Sequence, residues 1–340
     1  MKNKRRLRSV IGEAIAEVVV SIICFAVGYF VLTSIGCNAS IDSIDPDLTL
    51  LLGLAIILVI AVTLTKLIAI IFKKKAVTRN MNTKINRFIF TVDDNIIFLE
   101  ELTKEGYASI FDHPYLAMYK RLHEKFGLKV QLNLFYEKEG FDLSMMPDKY
   151  CAEWQANADW LKASFHSRLE NETPYIDSGY DEVYGDGRAV NSEILRFAGE
   201  PSLAKTTTIH WCRATDDGLK ALADLGVRGL LGLYGTEEKP RSSYQSTAEV
   251  GDLIRSGGIA VSDGMAYAGI DIVLNQFDPD EIIKKLTALN GRGLIKVMIH
   301  EQYFHESYKA YQPNFEKKLA STFDYLTQNG YKSAFFEEIL

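Results

Sequence analysis

Cysteine is scarce in this chain, and its positions exclude one kind of site. Only four occur in 340 residues, at positions 24, 37, 151 and 212. None forms a Cys-x-x-Cys pair or shows the spacing of a zinc finger, so a cysteine-based metal finger is excluded. The chain also lacks an internal repeat and a low-complexity tract. Cys151 and Cys212 could form a disulfide only if the fold brings them together, and their reduced forms would fit a reducing compartment.

Positive charge is in deficit over residues 80–340. This part holds 28 Lys and Arg against 39 Asp and Glu, which gives a net charge of −11. A field of this sign repels nucleic acid and anionic lipid headgroups. We therefore expect no nucleic-acid partner, and nothing in the sequence predicts a protein partner.

Two long stretches near the N-terminus lack charge altogether. Residues 18–36 and 48–65 contain no Asp, Glu, Lys or Arg, and the second continues past Lys66 as an apolar run to Phe72. A helix needs about 20 apolar residues to cross the ~30 Å hydrocarbon core of a bilayer. We predict a transmembrane hairpin in residues 1–79 that contacts membrane lipid, with spans at about 12–36 and 48–72.

The loop between these spans carries no positive charge. Residues 37–47 hold three Asp, whereas five basic residues precede the first span and four follow the second. The positive-inside rule puts both basic flanks in the cytoplasm. We expect a multi-pass protein of the cell membrane, with residues 80–340 on the cytoplasmic side.

Residues 80–340 alternate between short apolar runs and helix-like segments. The runs are rich in β-branched or aromatic residues and lie at 88–92, 130–135, 161–165, 206–209, 229–234, 270–274, 295–299 and 333–336. This alternation favours parallel strands. Because the segment is long enough for one large core, we predict an α/β fold with a (β/α) barrel of seven or eight parallel strands. Residues 175–187 are predicted to be a loop over its mouth.

Residues of catalytic types directly follow four of these runs. They are Asp93 with Asp94, then His166, His210 and His300. The C-terminal ends of barrel strands meet at one mouth, and imidazoles and carboxylates there can bind a metal or transfer protons. The pattern predicts a metal-assisted hydrolase site. Neighbouring strand residues point to opposite faces, so the two acids share the mouth only if the chain turns there.

Two other histidines lie on or beside a predicted helix that starts near residue 114. We expect His113 and His123 to lie on the surface. Asp112 is expected to cap this helix, with Pro114 in its first turn, and Gly127 to end it.

Three short motifs resemble those of the polysaccharide deacetylase (NodB-homology) family. Thr91-Val92-Asp93-Asp94 is similar to its Thr-Phe-Asp-Asp motif, and His166-Ser167 to the start of its His-Ser/Thr-x-x-His motif. Met298-Ile299-His300 is similar to its late hydrophobic-x-His motif. They occur in the order found in the family, and the resemblance spans about residues 85–340. The chain resembles a divergent, membrane-anchored member.

This resemblance implies a distorted (β/α) barrel that removes acetyl groups from N-acetylated sugars with a bound divalent metal. Carried over by position, Asp93 would be the general base and His300 the general acid. Asp94 and His166 would be metal ligands. We expect Zn²⁺, because neutral imidazole is its commonest nitrogen donor.

The chain departs from the family pattern at two places. The second histidine of the His-Ser/Thr-x-x-His motif falls on Glu170. We take His210 as the third metal ligand because it ends its own strand, with Glu170 as the alternative. The Arg and Pro motif of the family is only hinted at by Arg196 and Pro201. Arg196 and Tyr303 are our predicted substrate-binding residues.

We expect a hydrolase that removes N-acetyl or related acyl groups from a sugar or glycan. A lipid-linked sugar suits a cytoplasmic domain, whereas an outer wall polymer requires the alternative, extracellular placement. Two other functions remain open. One is a glycosidase on the same barrel, which would pair Asp94 with a remote Glu. The other is a catalytically degenerate barrel that binds a glycan or a partner.

Overall fold

The computed structural model describes residues 86–170, 175–234, 243–244 and 248–340. The predicted transmembrane hairpin of residues 1–79 lies outside these ranges, so the hairpin and the domain boundary at residue 80 stay predictions. Among the helices within the described ranges, none combines the length and the apolar character that a membrane span requires.

A parallel sheet, built from both ends of the described chain, forms one half of the fold. Its strands, in spatial order, are β10 (Ile272–Val273), β11 (Leu294–His300), β1 (Arg87–Asn95), β2 (Val130–Phe135) and β5 (Leu161–Ser167). Every pairing among them is parallel. β12 (Lys332–Ser333) pairs with the start of β1, and β3 (Glu137–Lys138) forms a separate hairpin with β4 (Phe141–Asp142).

A second sheet forms the other half. Its order is β6 (Thr206–Thr207), β7 (Gly229–Gly232), β9 (Met265–Gly269) and β8 (Ala260–Ser262). β6, β7 and β9 run parallel, and β8 folds back antiparallel on β9.

A backbone hydrogen bond joins the two sheets at one edge, and the chain itself passes from one sheet to the other at the opposite edge. On one side the Ala204 N–H donates to the Ala163 carbonyl oxygen over 2.8 Å. On the other, Ile270 donates to Gly232 and Asp271 donates to Lys296, each over 2.8 Å. The strands therefore follow one another around seven positions, with β9 and β10 as two parts of one position. The predicted α/β class with parallel strands is confirmed.

Helices connect the strands and cover their outer face. They are α1 (Ile97–Glu105), α2 (Pro114–Phe126), α3 (Cys151–Ala156), α4 (Tyr180–Phe197), α5 (Asp216–Asp224), α6 (Ala248–Arg255), α7 (Pro279–Ala288) and α8 (Phe315–Gln328). Phe88 and Phe90 of β1 point outward, where their rings lie 5.7 and 5.0 Å from the Phe323 ring of α8. Ile89 points inward and packs with Leu294. This alternation aims Asp93, four residues on, at the interior.

The predicted loop over residues 175–187 is wrong, because α4 begins at Tyr180. Asp181 and Glu182 in its first turn suit the positive end of the helix dipole. Gly187 favoured a loop in the sequence, yet it lies within the helix. A Cβ there would lie 2.5 Å from Cδ1 of Leu225, the residue that caps the C-terminus of α5, so the glycine permits close packing at this point.

The start of α2 also differs from the prediction. His113, not Asp112, caps this helix, since its Nδ1 accepts from the Tyr115 N–H over 3.2 Å. His113 is 1% exposed, so the predicted surface location is wrong. Its Nε2 lies 2.8 Å from a Glu101 oxygen. His123 is half-buried. Gly127 ends the helix with φ +63°, as predicted.

Candidate metal centre and active site

A bulge in β1 brings both adjacent acids to one cavity. The pairing register with β2 shifts between Val92 and Asn95, and Asp94 has φ +62°. A left-handed residue within a strand breaks the alternation of side chains. The Asn95 side-chain amide spans the bulge by donating to the carbonyls of Val92, over 2.6 Å, and Asn133, over 3.1 Å. Asp93 and Asp94 consequently line the same cavity.

Side chains from the ends of β1 and β5 and from the turn that follows β6 converge in this cavity. His166 Nε2 lies 3.0 Å from Asp94 Oδ1. His210 Nδ1 lies 3.3 Å from the same carboxylate oxygen and 3.3 Å from His166 Nε2. The three ligand atoms all fall within 4.8 Å of one another. Asp94, His166 and His210, here called the ligand trio, thus have the spacing of a metal site.

Outer hydrogen bonds determine which ring nitrogens of the trio face inward. His166 Nδ1 lies against the carbonyl oxygen of Thr208, and His210 Nε2 lies 2.5 Å from that of Glu170. A carbonyl only accepts, so these two nitrogens carry hydrogens, and in the neutral imidazoles the inward nitrogens keep lone pairs. Two lone pairs and the Asp94 carboxylate then meet at one point. This donor set fits a divalent metal such as Zn²⁺.

Burial and charge push the pKa values of the two adjacent acids apart. Burial raises the pKa of Asp94, but hydrogen bonds from His166 and His210 and the charge of His300 hold it well below its usual range. Burial also raises the pKa of Asp93, and the nearby histidine charges offset this only in part, so its pKa stays above the usual value. Asp94 is therefore suited to hold a cation and Asp93 to accept a proton.

His166 responds to the same two acids. Burial lowers the pKa of its imidazole, but the charge of Asp93 and the hydrogen bond to Asp94 outweigh this and raise the pKa above its usual value. Without a metal, a proton on this ring would hold the trio together. With a metal bound, the cation would replace this proton and hold the three side chains together.

Asp93 and His300 are neighbours at the ends of β1 and β11. The Asn133 amide donates to Asp93 Oδ1 over 2.6 Å and fixes the carboxylate. His300 Nδ1 lies 2.9 Å from Asn275 Oδ1, and its Nε2 lies 3.9 Å from Asp94 Oδ2. Held by one nitrogen, the imidazole presents the other to the cavity.

One open cavity of about 240 Å³ contains these groups. Six of the predicted site residues line it: Asp93, Asp94, His166, His210, His300 and Tyr303. Gln302 lines it too, and its amide donates to Asp94 Oδ2 over 2.8 Å.

Arg196 and Glu170, the other two predicted site residues, are not among the residues that line the cavity. The Arg196 guanidinium donates to the carbonyls of Met146, over 2.7 Å, and Leu143, over 2.9 Å. It thus ties α4 to a neighbouring loop, and the structure does not bring it to the cavity. Glu170 meets the trio through its backbone carbonyl, while its residue is exposed. His210 occupies the third position of the trio.

Sequence reasoning missed three neutral amides, Asn133, Asn275 and Gln302. Asn133 lies inside β2 rather than at its end, so the rule that singled out strand ends passed over it. Gln302 follows His300 by two residues, and this closeness in the chain was the one signal that could have placed it near the site.

Comparison with known proteins gives matches among solved structures alone, because no family model and no curated protein matches. A 4-alpha-glucanotransferase from Thermococcus litoralis matches 75% of this chain and 40% of its own, with 14% identity and a TM-score of 0.50. A CE4 family pseudoenzyme from Bacillus anthracis matches 74% of this chain and 64% of its own, with 11% identity and a TM-score of 0.42.

Polysaccharide deacetylases are also among the matched structures. One from Mycobacterium smegmatis, itself described as putative, matches 75% of this chain and 89% of its own, with 11% identity and a TM-score of 0.45. At such identities the likeness concerns the fold alone. The chain spans less than two thirds of both the pseudoenzyme and the glucanotransferase. Function has to be argued from the side chains of the cavity.

Proposed function

We propose that residues 80–340 form a metal-dependent hydrolase of the polysaccharide deacetylase (NodB-homology) type. It would remove an N-acetyl or related acyl group from a sugar or glycan. The observation that carries this proposal is the ligand trio of Asp94, His166 and His210 beside Asp93 and His300 in one cavity. Ligands, base and acid are the parts that metal-assisted amide hydrolysis requires.

The ligand trio would hold the metal, and Zn²⁺ best suits two imidazoles and a carboxylate. Such an ion, when bound, polarises an amide carbonyl and makes water more acidic. Asp94, with its lowered pKa, stays ionised as a ligand. The Thr208 and Glu170 carbonyls keep the two imidazoles turned with their lone pairs inward.

Asp93 takes the proton from the attacking water. Its raised pKa brings it closer to the working pH than an ordinary carboxylate, and the Asn133 amide fixes its orientation. His300 gives a proton to the departing sugar amine while Asn275 holds its other nitrogen. The C–N bond of the amide breaks, the water oxygen joins the acyl carbon, and a carboxylic acid and a free amine leave.

Two other functions have less support. A glycosidase needs a second carboxylate that faces the first across the sugar. Among the described residues that line the cavity, the carboxylates are Asp93 and Asp94, which are adjacent in the chain. A degenerate barrel would be expected to have lost a ligand, the base or the acid, and all are present.

The direct test uses the full chain in detergent with an N-acetylated oligosaccharide. We expect about one divalent metal per chain, acetate release, loss of both with a chelator, and recovery with Zn²⁺. Acetate release that survives complete metal removal would overturn the metal-dependent mechanism. Cleavage between the sugars without metal would favour the glycosidase.

The location is a proposal that rests on the charges around the predicted hairpin. Nine basic residues flank the two spans and three Asp occupy the loop between them. We propose that residues 80–340 face the cytoplasm and act on a lipid-linked sugar. A reporter fused after Leu340 should read as cytoplasmic, and one inserted near Ser43 as external. Protease digestion of the domain in intact cells would favour extracellular placement instead.

A further inference from the structure

Trp211 is an exposed aromatic side chain at the rim of the cavity. Its relative exposure is 56%, whereas the other two tryptophans, Trp154 and Trp160, are 0% and 3% exposed. Tryptophan carries the largest apolar surface of any side chain and is highly buried on average. An indole left in water beside a candidate active site therefore calls for a physical reason.

The backbone at this position adopts a conformation that side-chain-bearing residues rarely take. Trp211 has φ +60° and ψ 2°, and Cys212 follows with φ +56°. Residues held in this conformation are strained, and such residues are concentrated at ligand-binding and active sites. The turn is secured by the Cys212 N–H, which donates to Ile209, and the Cys212 carbonyl, which accepts from Tyr244, over 2.8 and 3.2 Å.

This turn separates the directions of two neighbouring side chains. His210 points inward, where it belongs to the ligand trio. Trp211 lies at the rim and also lines the cavity. The two rings are 5.7 Å apart at an angle of 60°. The indole thus lies beside the point where the acyl group would react.

We propose that Trp211 is the stacking platform for a pyranose ring of the substrate, next to the sugar whose amide is hydrolysed. This rests on the proposed function and adds a specific contact to it. A pyranose has an apolar face of C–H groups and a polar edge, which suits a flat aromatic surface. A neutral N-acetylated sugar also suits the net charge of −11 over residues 80–340 better than an anionic one.

A membrane surface is the main rival occupant, because tryptophan also favours the lipid–water interface. The sugar is favoured because Trp211 lines the cavity beside a member of the trio. Anionic lipid is disfavoured by the negative charge of the domain.

Tryptophan fluorescence gives a test that does not depend on turnover. Because Trp154 and Trp160 are buried, a change in acrylamide quenching reports mainly on Trp211. The full chain in detergent is titrated with N-acetylchitotetraose. We expect a blue shift and weaker quenching, and a Trp211→Phe variant should lose this response while keeping most of the affinity. Titration calorimetry, which does not use the indole as a reporter, gives the affinities of the variants, and Trp211→Ala should bind about tenfold more weakly.

Kinetics and metal content separate stacking from damage to His210. Trp211→Ala should raise KM about tenfold with kcat within about twofold of wild type, since the indole touches no reacting atom. Both variants should keep the wild-type metal content. Met145→Ala removes a side chain that is equally exposed, at 52%, but outside the cavity, and should change nothing.

Three results would overturn the subsite. They are unchanged binding in Trp211→Ala, metal loss in Trp211→Phe, and a Trp211 signal that appears with lipid vesicles but not with the sugar. Failure of the proposed function looks different, since the sugar would then shift the Trp211 emission without any acetate release. Normal acetate release with an unchanged KM in Trp211→Ala would instead leave the function standing and remove the subsite.

Discussion

Two clusters of histidine and carboxylate lie near the end of β1, and they differ in where their hydrogens point. One is the ligand trio. The other, here called the structural cluster, comprises Glu101, Glu301 and His305. His305 Nε2 lies 3.0 Å from Glu301 Oε1, and its Nδ1 lies 3.5 Å from Glu101 Oε1. Both nitrogens face carboxylates, so both carry hydrogens. Burial lowers the pKa of His305, but these two partners outweigh it and raise the pKa to about 9.

Glu301 uses up its acceptor capacity within the structural cluster. Its carboxylate is fully buried and accepts the N–H groups of Ile96, Ile97 and Phe98 over 2.6, 3.1 and 2.6 Å. These are donors at the start of α1 that have no partner within the helix. The carboxylate therefore joins the end of β11 to the start of α1. This helix begins shortly after the two acids of the candidate site in the chain.

The two clusters teach how a metal centre differs from a buried ion pair of similar composition. In the ligand trio, backbone carbonyls take the outer N–H of each imidazole, and lone pairs are left facing one point. In the structural cluster, carboxylates take both N–H groups of His305, and no such point exists. The first arrangement attracts a cation, and in the second the protonated His305 ring already occupies the position of the cation.

The largest expected effect comes from breaking the ligand trio and the base separately. His166→Ala should lose both the metal and turnover. Asp93→Asn should lower turnover by about 10²–10⁴-fold and keep the metal, because it removes the proton acceptor and not a ligand. Metal analysis of each purified variant beside an acetate-release assay measures both. Equal metal loss in the two variants would mean that Asp93 and Asp94 have exchanged roles.

The next effect concerns the third ligand. His210→Ala should weaken metal binding by more than the roughly 10–100-fold that loss of an outer hydrogen-bond partner costs. Glu170→Gln should retain the metal, because Glu170 meets the trio through its backbone carbonyl, which the substitution keeps. Competition with a chromophoric chelator gives both affinities. Metal loss in Glu170→Gln with retention in His210→Ala would identify the carboxylate as the ligand.

The structural cluster should respond in stability and not in metal content. Glu301→Gln leaves His305 and the start of α1 without their buried carboxylate, a change that typically costs about 3–5 kcal/mol. Glu316→Gln breaks an exposed pair with Arg121 and should cost at most about 1 kcal/mol. Denaturant unfolding in detergent compares the two. A similar small loss in both variants would show that Glu301 is not a structural centre.

Strand-end residues could be predicted because their signal is local. An apolar run followed by His or Asp is visible without tertiary structure, and it singled out Asp93, Asp94, His166, His210 and His300, which line one cavity. The bulge could not be predicted, because it depends on Asn95 reaching the Asn133 carbonyl of the neighbouring strand.

The role of each histidine is decided by partners distant in sequence. His210 and His305 look alike in the chain, each beside an aromatic residue. One nitrogen of His210 lies against a backbone carbonyl and the other faces Asp94 and His166. Both nitrogens of His305 face carboxylates. The buried position of His113 arises likewise from Glu101 on another helix.

The smallest expected effect is the pH dependence of stability that the structural cluster confers. The folded-state pKa of His305 is about 9, above the ordinary value of 6.5. Below about pH 6.5 both folded and unfolded chains hold the proton, so the stabilisation is fully present. Between 6.5 and 9 the unfolded chain releases the proton first, and stability should fall by about 1–3 kcal/mol. His305→Gln, which carries no titrating ring, should be less stable at pH 6. Its free energy of unfolding should also change less with pH between 6.5 and 9. The free energy of unfolding of both proteins is measured by denaturant unfolding at each pH. An equal change with pH in wild type and variant would assign the pH dependence to other groups and weaken the contrast between the two clusters.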